Sequence, residues 1–523
     1  MSLPAELQEL LRPEAYPHAV EAVQLVETPI SWVLLTGAYA YKIKRPVRLE
    51  YVDQQSARRR AELCEEELRL NRRFAPALYL GVSTIARVRG RLVVGGAGEV
   101  VEHAVCMRQF DRSQELDRLL ASGGVTPAEL AEFGRSLAAT HATLACTVPS
   151  EQWGTPARVR TLVLTNLEQC LHAARTCGTA PAIEALRLPL TAALDAAAPV
   201  IAQRRAAGMV RECHGDLHAR NIVRREGRLL AFDCVEFEPE FRWIDVADDV
   251  AFLVADLEVL GAPLHACSFL QGYLGASGDY QACRVQRLYQ AHRALVRAKV
   301  AALSATDAAG AAAVAGGAMR RAHAAYLRHA AAVLGPLRPA VLLMSGLSGS
   351  GKTWLAERLA PALRALHLRS DVERKRCAGL APAASSGSGL ARGLYSAEVT
   401  AELYRHLLRC TGDIVASGRS VIVDATFLRP EDRLPWRELA DAAGVPFRMI
   451  HCHAPPALLQ ERIERRRAAA RDASEADLEV LGWQQQRSAP FAPGERATVI
   501  EADTARADVV QQVLQQLGAV GLA

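Results

Sequence analysis

The spacing of apolar positions changes twice along this chain. Between about residues 20 and 110, short apolar runs alternate with polar turns. Segments 30–36 and 38–43 read as two strands paired about Gly37, and RRRAELCEEELRLNRRF forms the body of a charged amphipathic helix over 56–74. The run VVEHAVCMRQF over 100–110 predicts an edge strand leading into a connector. From Thr126 the pattern turns helical and alanine-rich, broken by strand-like pieces at 222–223 and 229–232, and helices resume over 243–334. Gly335-Pro336-Leu337-Arg338-Pro339 stops any helix and reads as a linker. Beyond it AVLLMSG predicts a strand, a glycine-rich turn follows, and a helix starts near Lys352. Strand–helix alternation from there to the end predicts a parallel α/β sheet. Within that half, 378–393 (AGLAPAASSGSGLARG) is small-residue, low-complexity sequence and reads as a mobile loop.

Length and composition narrow the picture. At 523 residues the chain exceeds what one hydrophobic core serves, so at least two domains are expected. Half of the residues are hydrophobic and 23% charged, which excludes global disorder. The net charge of +5 leaves no strong nucleic-acid footprint. No uninterrupted apolar run approaches the roughly 20 residues needed to span a bilayer, and the first residues do not read as a secretory signal. The twelve cysteines include no C-x-x-C pair, which fits a reducing compartment better than a disulfide framework or zinc site. A cytoplasmic protein without a membrane partner is expected. Only five of the 62 basic residues are lysines: Lys42, Lys44, Lys299, Lys352 and Lys375. Where arginine serves almost everywhere, a surviving lysine marks a position that needs a compact ammonium charge.

Residues 346–353, GLSGSGKT, fit G-x-x-x-x-G-K-[ST] between an apolar strand and a helix. In this pattern glycines let backbone N–H groups wrap a phosphate, and the helix N-terminus adds its positive end. Gly346, Ser348, Gly349, Ser350 and Gly351 are then cradle positions. Lys352 reaches the β- and γ-phosphates and Thr353 ligates Mg²⁺. Asp424, ending the apolar run 421–423, is placed to support the metal, the plain alternative being a carboxylate that merely ends a strand. Asp371 follows the strand-like 365–368, where a P-loop kinase needs a group to orient or deprotonate the acceptor hydroxyl. Ser370-x-x-Glu373 also spells a capping box with no catalytic role, but Arg374, one turn on, favours function. The helix over 458–471 stacks Arg462 and Arg466. Either offers a guanidinium to the transferring phosphoryl group, unless the face is simply solvated. These residues resemble the zeta-toxin and polynucleotide-kinase-like branch of P-loop kinases, an AAA-type ATP-binding domain. GLSGSGKT, SDVER, VIVDATF and an arginine-rich lid followed by DASEADLEVL carry the likeness over about 338–523. It implies that Asp371 handles the acceptor hydroxyl and that Arg374 and a lid arginine, Arg466 or Arg462, contact phosphates.

The second constellation is Cys213-His214-Gly215-Asp216-Leu217-His218-Ala219-Arg220-Asn221. An Asp with an Asn five residues later is the spacing of a kinase catalytic loop. Asp216 accepts the acceptor's hydroxyl proton in such a loop, and Asn221 holds Mg²⁺. Asp233, twelve residues further and at the end of LLAF, stands where a second metal-binding carboxylate belongs. Single loop aspartates are common; this set is not. The strand YAYKIK puts Lys42 and Lys44 on one face, and either serves as the phosphate lysine, Lys42 being preferred. On the following helix Glu67, or alternatively Glu66, pairs with it. The stretch from Thr36 to about Glu258 resembles the aminoglycoside-phosphotransferase-like kinase family on TGAYAYKIKRPV, CEEELRLNRR, HGDLHARN and FDCVEF running into RWIDVADDVAFL. The resemblance implies a protein-kinase-like two-lobed fold, Asp216 as base, Asn221 and Asp233 on magnesium, and Asp249 bracing the catalytic loop. Two features depart from it. No G-x-G-x-x-G loop is present, and Cys234-Val235 replace the residues after the Asp of D-F-G. Glu236, Glu238, Glu240 and Asp245 are candidates for acids around a polycationic acceptor.

Together these readings predict α/β and α+β architecture in two domains. Residues 1–335 form the kinase-like domain, with an N-lobe of about 1–110 and a C-lobe of about 111–335. Residues 336–339 link it to a P-loop parallel α/β sheet over 340–523. The expected activity is bifunctional: each domain moves the γ-phosphoryl group of ATP, with Mg²⁺, to a hydroxyl of a small-molecule acceptor. Two alternatives remain. The C-terminal domain is a polynucleotide 5′-hydroxyl kinase, against which the 5% aromatic content counts. Or the protein is a nucleotide-binding regulatory ATPase whose kinase-like module is not catalytic.

Overall fold

Alternation in the first 110 residues produces a six-stranded antiparallel sheet. Its strands are β1 (Gln24–Glu27), β2 (Ser31–Leu35), β3 (Tyr39–Lys44), β4 (Tyr79–Val88), β5 (Arg91–Val94) and β6 (Glu99–Arg108), in the order β1-β2-β3-β6-β4-β5. The computed structural model describes residues 3–49, 51–307, 313–380, 396–469 and 476–522; most of the expected loop over 378–393 lies outside them. The run at 100–110 is not an edge: β6 pairs with β3 on one side and β4 on the other, because Ala104 and Val105 are needed in the sheet's interior on opposite faces. Along β3 the period of two sends Tyr41 and Ile43 into one core, with Trp32, Leu34 and the N-terminal Leu7 and Leu10. Ala40 enters the other core, with Cys64 and Leu68 of α1 (Ala57–Asn71). Ser56 caps α1, its hydroxyl accepting from the Arg59 amide.

The next elements are largely helical. They are α2 (Leu116–Ala121), α3 (Pro127–Thr143), α4 (Pro156–Ala173), α5 (Ala180–Glu184) and α6 (Arg187–Ala206). Thr126 and Glu129 form the capping box that starts α3, with Pro127 in its first turn. Two small sheets follow: the hairpin β8 (Ile222–Arg225) with β9 (Arg228–Ala231), and β7 (Val210–Glu212) with β10 (Trp243–Asp245). Then come α7 (Val246–Val259), α8 (Pro263–Ser277), α9 (Cys283–Asp307) and α10 (Ala313–Leu334). Among the described residues, one helical stretch, Ala180–Ala206, is long and apolar enough to cross a membrane by length and composition alone. It is broken between α5 and α6, and Arg204 within it makes a buried two-bond pair with Asp245, both at 2.8 Å.

Strand–helix alternation after 340 gives a parallel five-stranded sheet, order β12-β13-β11-β14-β15. The strands are β11 (Val341–Ser345), β12 (Leu366–Arg369), β13 (Val421–Asp424), β14 (Phe447–His453) and β15 (Val499–Asp503). The helices are α11 (Lys352–Ala362), α12 (Ser370–Cys377), α13 (Ala397–Ala416), α14 (Pro430–Ala442), α15 (Pro456–Ala469), α16 (Leu478–Arg487), α17 (Pro493–Arg496) and α18 (Val509–Ala519). β11 is the central strand and buried at every position, as a parallel strand covered on both faces must be.

By contacts the chain packs as two units, Met1–Gln169 with Ala198–Ala262, and Cys170–Ala197 with Pro263–Ala523. The division of the sequence at 335–339 therefore cuts the chain elsewhere than its packing does. The reason lies at the open edge of β12. The Gln271 carboxamide on α8 donates to His367 O (3.0 Å) and accepts from His367 N (2.7 Å), extending the sheet's hydrogen bonding with a side chain.

Candidate active sites

In the first unit, the hairpin β8–β9 accounts for the spacing of the predicted metal residues. Asn221 precedes β8 and Asp233 follows β9 by one residue, and Ile222 is paired with Ala231. The Phe232 amide donates to Asn221 O at 2.9 Å, so the hairpin returns the chain beside its start. Asn221 Nδ2 donates to Asp216 Oδ2 and to Asp216 O, both at 3.0 Å. His218 Nε2 stands 3.4 Å from Asp216 Oδ2. The side chains of Asp216 and Asp233 keep 39% and 43% exposure, open to a ligand while their neighbours are buried.

The loop that carries Asp216 is fixed from below. Asp249, fully buried on α7, accepts from the amides of His214 and Gly215 at 3.0 Å each, and His141 Nε2 lies 3.3 Å from it. One heptad on, Asp256 accepts from the Ala219 amide at 2.8 Å. Sequence reasoning reached Asp249 but not Asp256. The signal was two acids seven residues apart in the otherwise apolar VADDVAFLVADLEV, a spacing that returns to one helix face. Among the described residues, His141, Cys213 and Asp249 form the one His/Cys/acid group compact enough for an ion, but both Asp249 oxygens already hold the loop.

Above the loop, five buried or half-buried charges form a chain. Lys42 Nζ donates to Glu67 Oε1 at 2.9 Å and to Asp233 Oδ1 at 2.5 Å. Lys44 donates to the other Glu67 oxygen and to Glu236. Both lysines therefore meet Glu67. Glu66 points elsewhere, to Arg69 and Arg242 at 2.7 Å. Burial alone would lower the Lys42 ammonium, but the carboxylates of Asp233, Glu67 and Glu236 outweigh it and hold the pKa well above the usual lysine value. Burial likewise opposes the charge on Glu67, yet Lys42 and Lys44 pull it down to about 2. Glu236 goes the other way: burial raises it further than Lys44 lowers it. The acids proposed for a polycation are otherwise engaged. Glu236 binds Lys44, Glu240 binds Arg158, and Asp245 pairs with Arg204 and caps α7; Glu238 accepts from the Glu240 amide.

In the second unit, the glycine-rich loop runs from β11 into α11. Gly346, Gly349 and Gly351 sit at φ +134°, +80° and +83°. A Cβ on Gly346 would lie 2.2 Å from Cys452 O and one on Gly349 2.6 Å from Leu459 O, so only glycine fits either place. Lys352 Nζ donates to Gly346 O and Leu347 O at 2.8 Å each, and burial lowers its pKa. Thr353 Oγ1 donates to Asp424 Oδ2 at 2.6 Å, and His367 Nε2 approaches the same oxygen at 3.2 Å. Burial would raise Asp424, but His367 and Lys352 hold it below the usual carboxylate value. The Ser348 amide donates to Gln484 Oε1 of α16 at 2.8 Å, a partner no sequence motif announced.

A cavity of about 1290 Å³ opens over this loop; Lys352, Thr353, Asp371, Arg374, Asp424 and Arg466 all line it. The capping box at Ser370 does not form. Arg369 is the N-cap, and Glu373 bonds instead to Tyr280, Arg376 and His406. The two lid arginines differ. Arg462 is spent on the fold, donating to Thr504 Oγ1 and Thr504 O at 2.8 Å, whereas Arg466 donates to Ala476 O at 2.8 Å from the cavity wall.

Both places suit a metal-bound triphosphate. In the first, Glu67, Asp233 and Glu236 surround two ammonium groups, leaving one negative charge uncompensated beside the half-exposed Asp233 and Asp216. In the second, the buried Ser350 hydroxyl has no hydrogen-bond partner inside a cradle closed to any Cβ.

Comparison with known proteins finds a family match around each of these two places. Residues 37–285 match the model of the phosphotransferase enzyme family, and residues 341–491 match an AAA domain. An uncharacterized protein of Mycobacterium tuberculosis H37Rv, Rv2004c, is 30% identical over 486 residues, 92% of this chain and 94% of its own length, and a Mycobacterium bovis protein, Mb2027c, matches equally. Among solved structures, a choline/ethanolamine kinase family protein from Mesorhizobium loti is 13% identical, covering 59% of this chain and 92% of its own, at a TM-score of 0.32. A gluconokinase from Sinorhizobium meliloti is 20% identical over 35% of this chain and 95% of its own, at 0.26. The chain shares one family over nearly its whole length with the mycobacterial proteins, and it belongs to the phosphotransferase enzyme family through its first domain and to the P-loop AAA domains through its second.

Proposed function

We propose that this phosphotransferase is bifunctional and that each domain transfers the γ-phosphoryl group of ATP to a hydroxyl of a small-molecule acceptor. The observation that carries the reading is the same in both domains: an acid that borders an open site, Asp216 or Asp371, stands with a buried lysine and a metal-competent oxygen set. Bound magnesium–ATP supplies the phosphoryl group and neutralises its charge. In the first domain Asn221 and Asp233 would hold the metal, and Lys42 would steady the phosphates. Asp216, oriented by its bond from Asn221, takes the acceptor's hydroxyl proton on a carboxylate oxygen. In the second domain Gly346–Thr353 would encircle the phosphates, with Lys352 at the terminal groups and Thr353 and Asp424 near the metal. Asp371 orients the acceptor hydroxyl while Arg374 and Arg466 face the transferring charge from the cavity wall. The free thiols fit a reducing cytoplasm.

The test uses γ-labelled ATP and a panel of sugars, aminoglycosides, nucleosides and 5′-hydroxyl oligonucleotides, with Asp216→Ala and Lys352→Ala in parallel. A product that survives Lys352→Ala but is lost in Asp216→Ala belongs to the first domain, and the reverse to the second. Label released only as free phosphate supports the regulatory ATPase and refutes transfer. The polynucleotide reading draws support from one feature. Although aromatics are scarce, Trp354 and Trp483 line the cavity and stack with Arg358 and Arg487 at 4.2 and 4.4 Å, surfaces that suit a base. The oligonucleotide arm tests it.

A further inference from the structure

We propose that Lys44 and Glu236 are positioning residues for phosphoryl transfer in the first domain: they hold the second oxygen of Glu67 and tie the Asp233 loop to β3, so that Lys42 can leave Asp233 for a phosphate without disturbing its anchor. This rests on the reading of that domain as an ATP-using phosphotransferase.

The two lysines share a strand face but not an environment. The Lys42 side chain is 10% exposed and touches the half-exposed Asp233, so it borders the open site. The Lys44 side chain is 0% exposed and lies between Glu67 and Glu236. To reach a ligand it would have to abandon both carboxylates inside the protein, so Lys44 is not the phosphate lysine. What it does is divide Glu67. One oxygen faces Lys42 and the other faces Lys44. When Lys42 turns toward a phosphate, Glu67 keeps a full counter-charge within contact and stays in place. Without Lys44, Lys42 would be the only nearby ammonium for a buried carboxylate, and withdrawing it would strand that charge.

Glu236 completes the arrangement from the other side. It lies three residues after Asp233, and every backbone amide between them is held. Asp233 N donates to Tyr79 Oη (3.1 Å), Cys234 N to Asn71 Oδ1 (2.9 Å) and Val235 N to His214 O (3.1 Å). Asp233 itself takes φ +65°, a conformation that an L-residue keeps only when its surroundings impose it. Asn71 also donates to Glu67 O at 2.8 Å, so one side chain ties α1 to this loop. The Lys44–Glu236 pair adds the tie to β3. The loop that lacks the glycine of D-F-G is thus fixed rather than hinged, and its carboxylate arrives in one geometry. The remaining charged groups facing this chain are accounted for: Glu66 and Glu212 take Arg69, Arg73 and Arg242, away from the lysines.

The experiment measures magnesium–ATP binding by calorimetry on the full chain in a Lys352→Ala background, which removes the second domain's lysine. The variants are Lys42→Met, Lys44→Met, Lys44→Arg and Lys44→Met with Glu236→Gln, each also followed by thermal unfolding. The double variant removes both members of the second pair together, so it remains informative where Lys44→Met alone fails to fold. Expected are a loss of at least tenfold in ATP affinity for Lys42→Met and a loss of five- to tenfold for the double variant at a melting temperature near that of the background. Lys44→Arg should recover part of the affinity. A double variant that binds within twofold of the background while Lys42→Met is impaired overturns the positioning role and leaves the ATP site standing. Unimpaired binding in Lys42→Met instead overturns the underlying reading, and this proposal with it.

Discussion

Asp249 gives the sharpest prediction, because it touches neither ligand nor acceptor. Its two oxygens each accept one loop amide at 3.0 Å in a place with no solvent access. Asp249→Ala takes this acceptor away from the His214 and Gly215 amides, and losing a buried donor's hydrogen bond costs about 1–3 kcal/mol, so the two should cost about 4 kcal/mol together. Spread over a domain of this size, that is a fall of about 8–16 °C in melting temperature. Asp249→Asn keeps one acceptor oxygen but turns an NH₂ toward an N–H, so it should lose roughly half as much. The same amides lie immediately before Asp216, and displacing a catalytic group by an ångström costs about 100-fold in rate. Labelled product assigned to the first domain should therefore fall by about that factor, while product assigned to the second should not change. The assay is thermal unfolding followed by dye or calorimetry, beside label transfer on the same preparation. An Asp249→Ala protein that melts within about 2 °C of the parent, or transfers label at the parental rate, would show that Asp249 does not hold the loop.

Gly346→Ala should cost about 3 kcal/mol or more and abolish nucleotide binding by the second domain in equilibrium dialysis, because φ +134° and a backbone oxygen 2.2 Å from the new Cβ leave no room to relax. Gly379→Ala, at φ +71° with nothing within 4 Å, should cost only about 1 kcal/mol. Glu67, with its pKa depressed to about 2, adds stability that is present above its unfolded value and lost as pH falls through the folded one. Urea denaturation of Glu67→Gln should show a deficit of about 3 kcal/mol at pH 7 that shrinks steadily below about pH 4.5. Lys352 has a lowered pKa that a bound polyanion would raise again, so nucleotide affinity of the second domain should fall as pH rises through that lowered value, with proton uptake visible in calorimetry across buffers of different ionisation enthalpy.

How much of this was legible in the sequence depended on how local each signal was. GLSGSGKT specifies a loop whose ligand groups are mostly its own backbone, so eight consecutive residues were enough to place it, and the apolar runs before Asp371 and Asp424 placed those acids. The run at 100–110 was misread as an edge because neighbours in a sheet are chosen by the whole core, which no single strand displays. Glu66 and Glu67 could not be told apart either. Adjacent positions on a helix differ by about 100° in direction, and only the packing of α1 on the sheet decides which faces β3. The capping box at Ser370 failed for a related reason. Glu373 had better partners in Tyr280 and His406, both remote in sequence, than in its own helix end. Lys44 stood out through the scarcity of lysine, but nothing in the order of residues could show Glu236 on its far side, 192 residues away.

The two domains hold the lysines proposed to meet phosphate, Lys42 and Lys352, in opposite ways, and the difference follows from where each lysine is carried. Lys42 sits on a strand between acids, so its charge is secured before any nucleotide arrives, and binding must exchange one anion, Asp233, for another. An exchange of that kind costs little only if the carboxylates left behind remain compensated, which is what a second buried lysine provides. Lys352 is carried on the loop proposed to bind the phosphates and leans on two neutral carbonyls, with Asp424 already engaged by Thr353 and His367. Its charge is under-compensated in a buried site, so a phosphate meets an attraction that nothing else has satisfied. The first arrangement favours a fixed geometry and needs several charged residues from separate elements to hold it. The second favours attraction and needs only a backbone with room for an anion. That is why the P-loop is a motif of consecutive residues and the kinase-like site is a constellation.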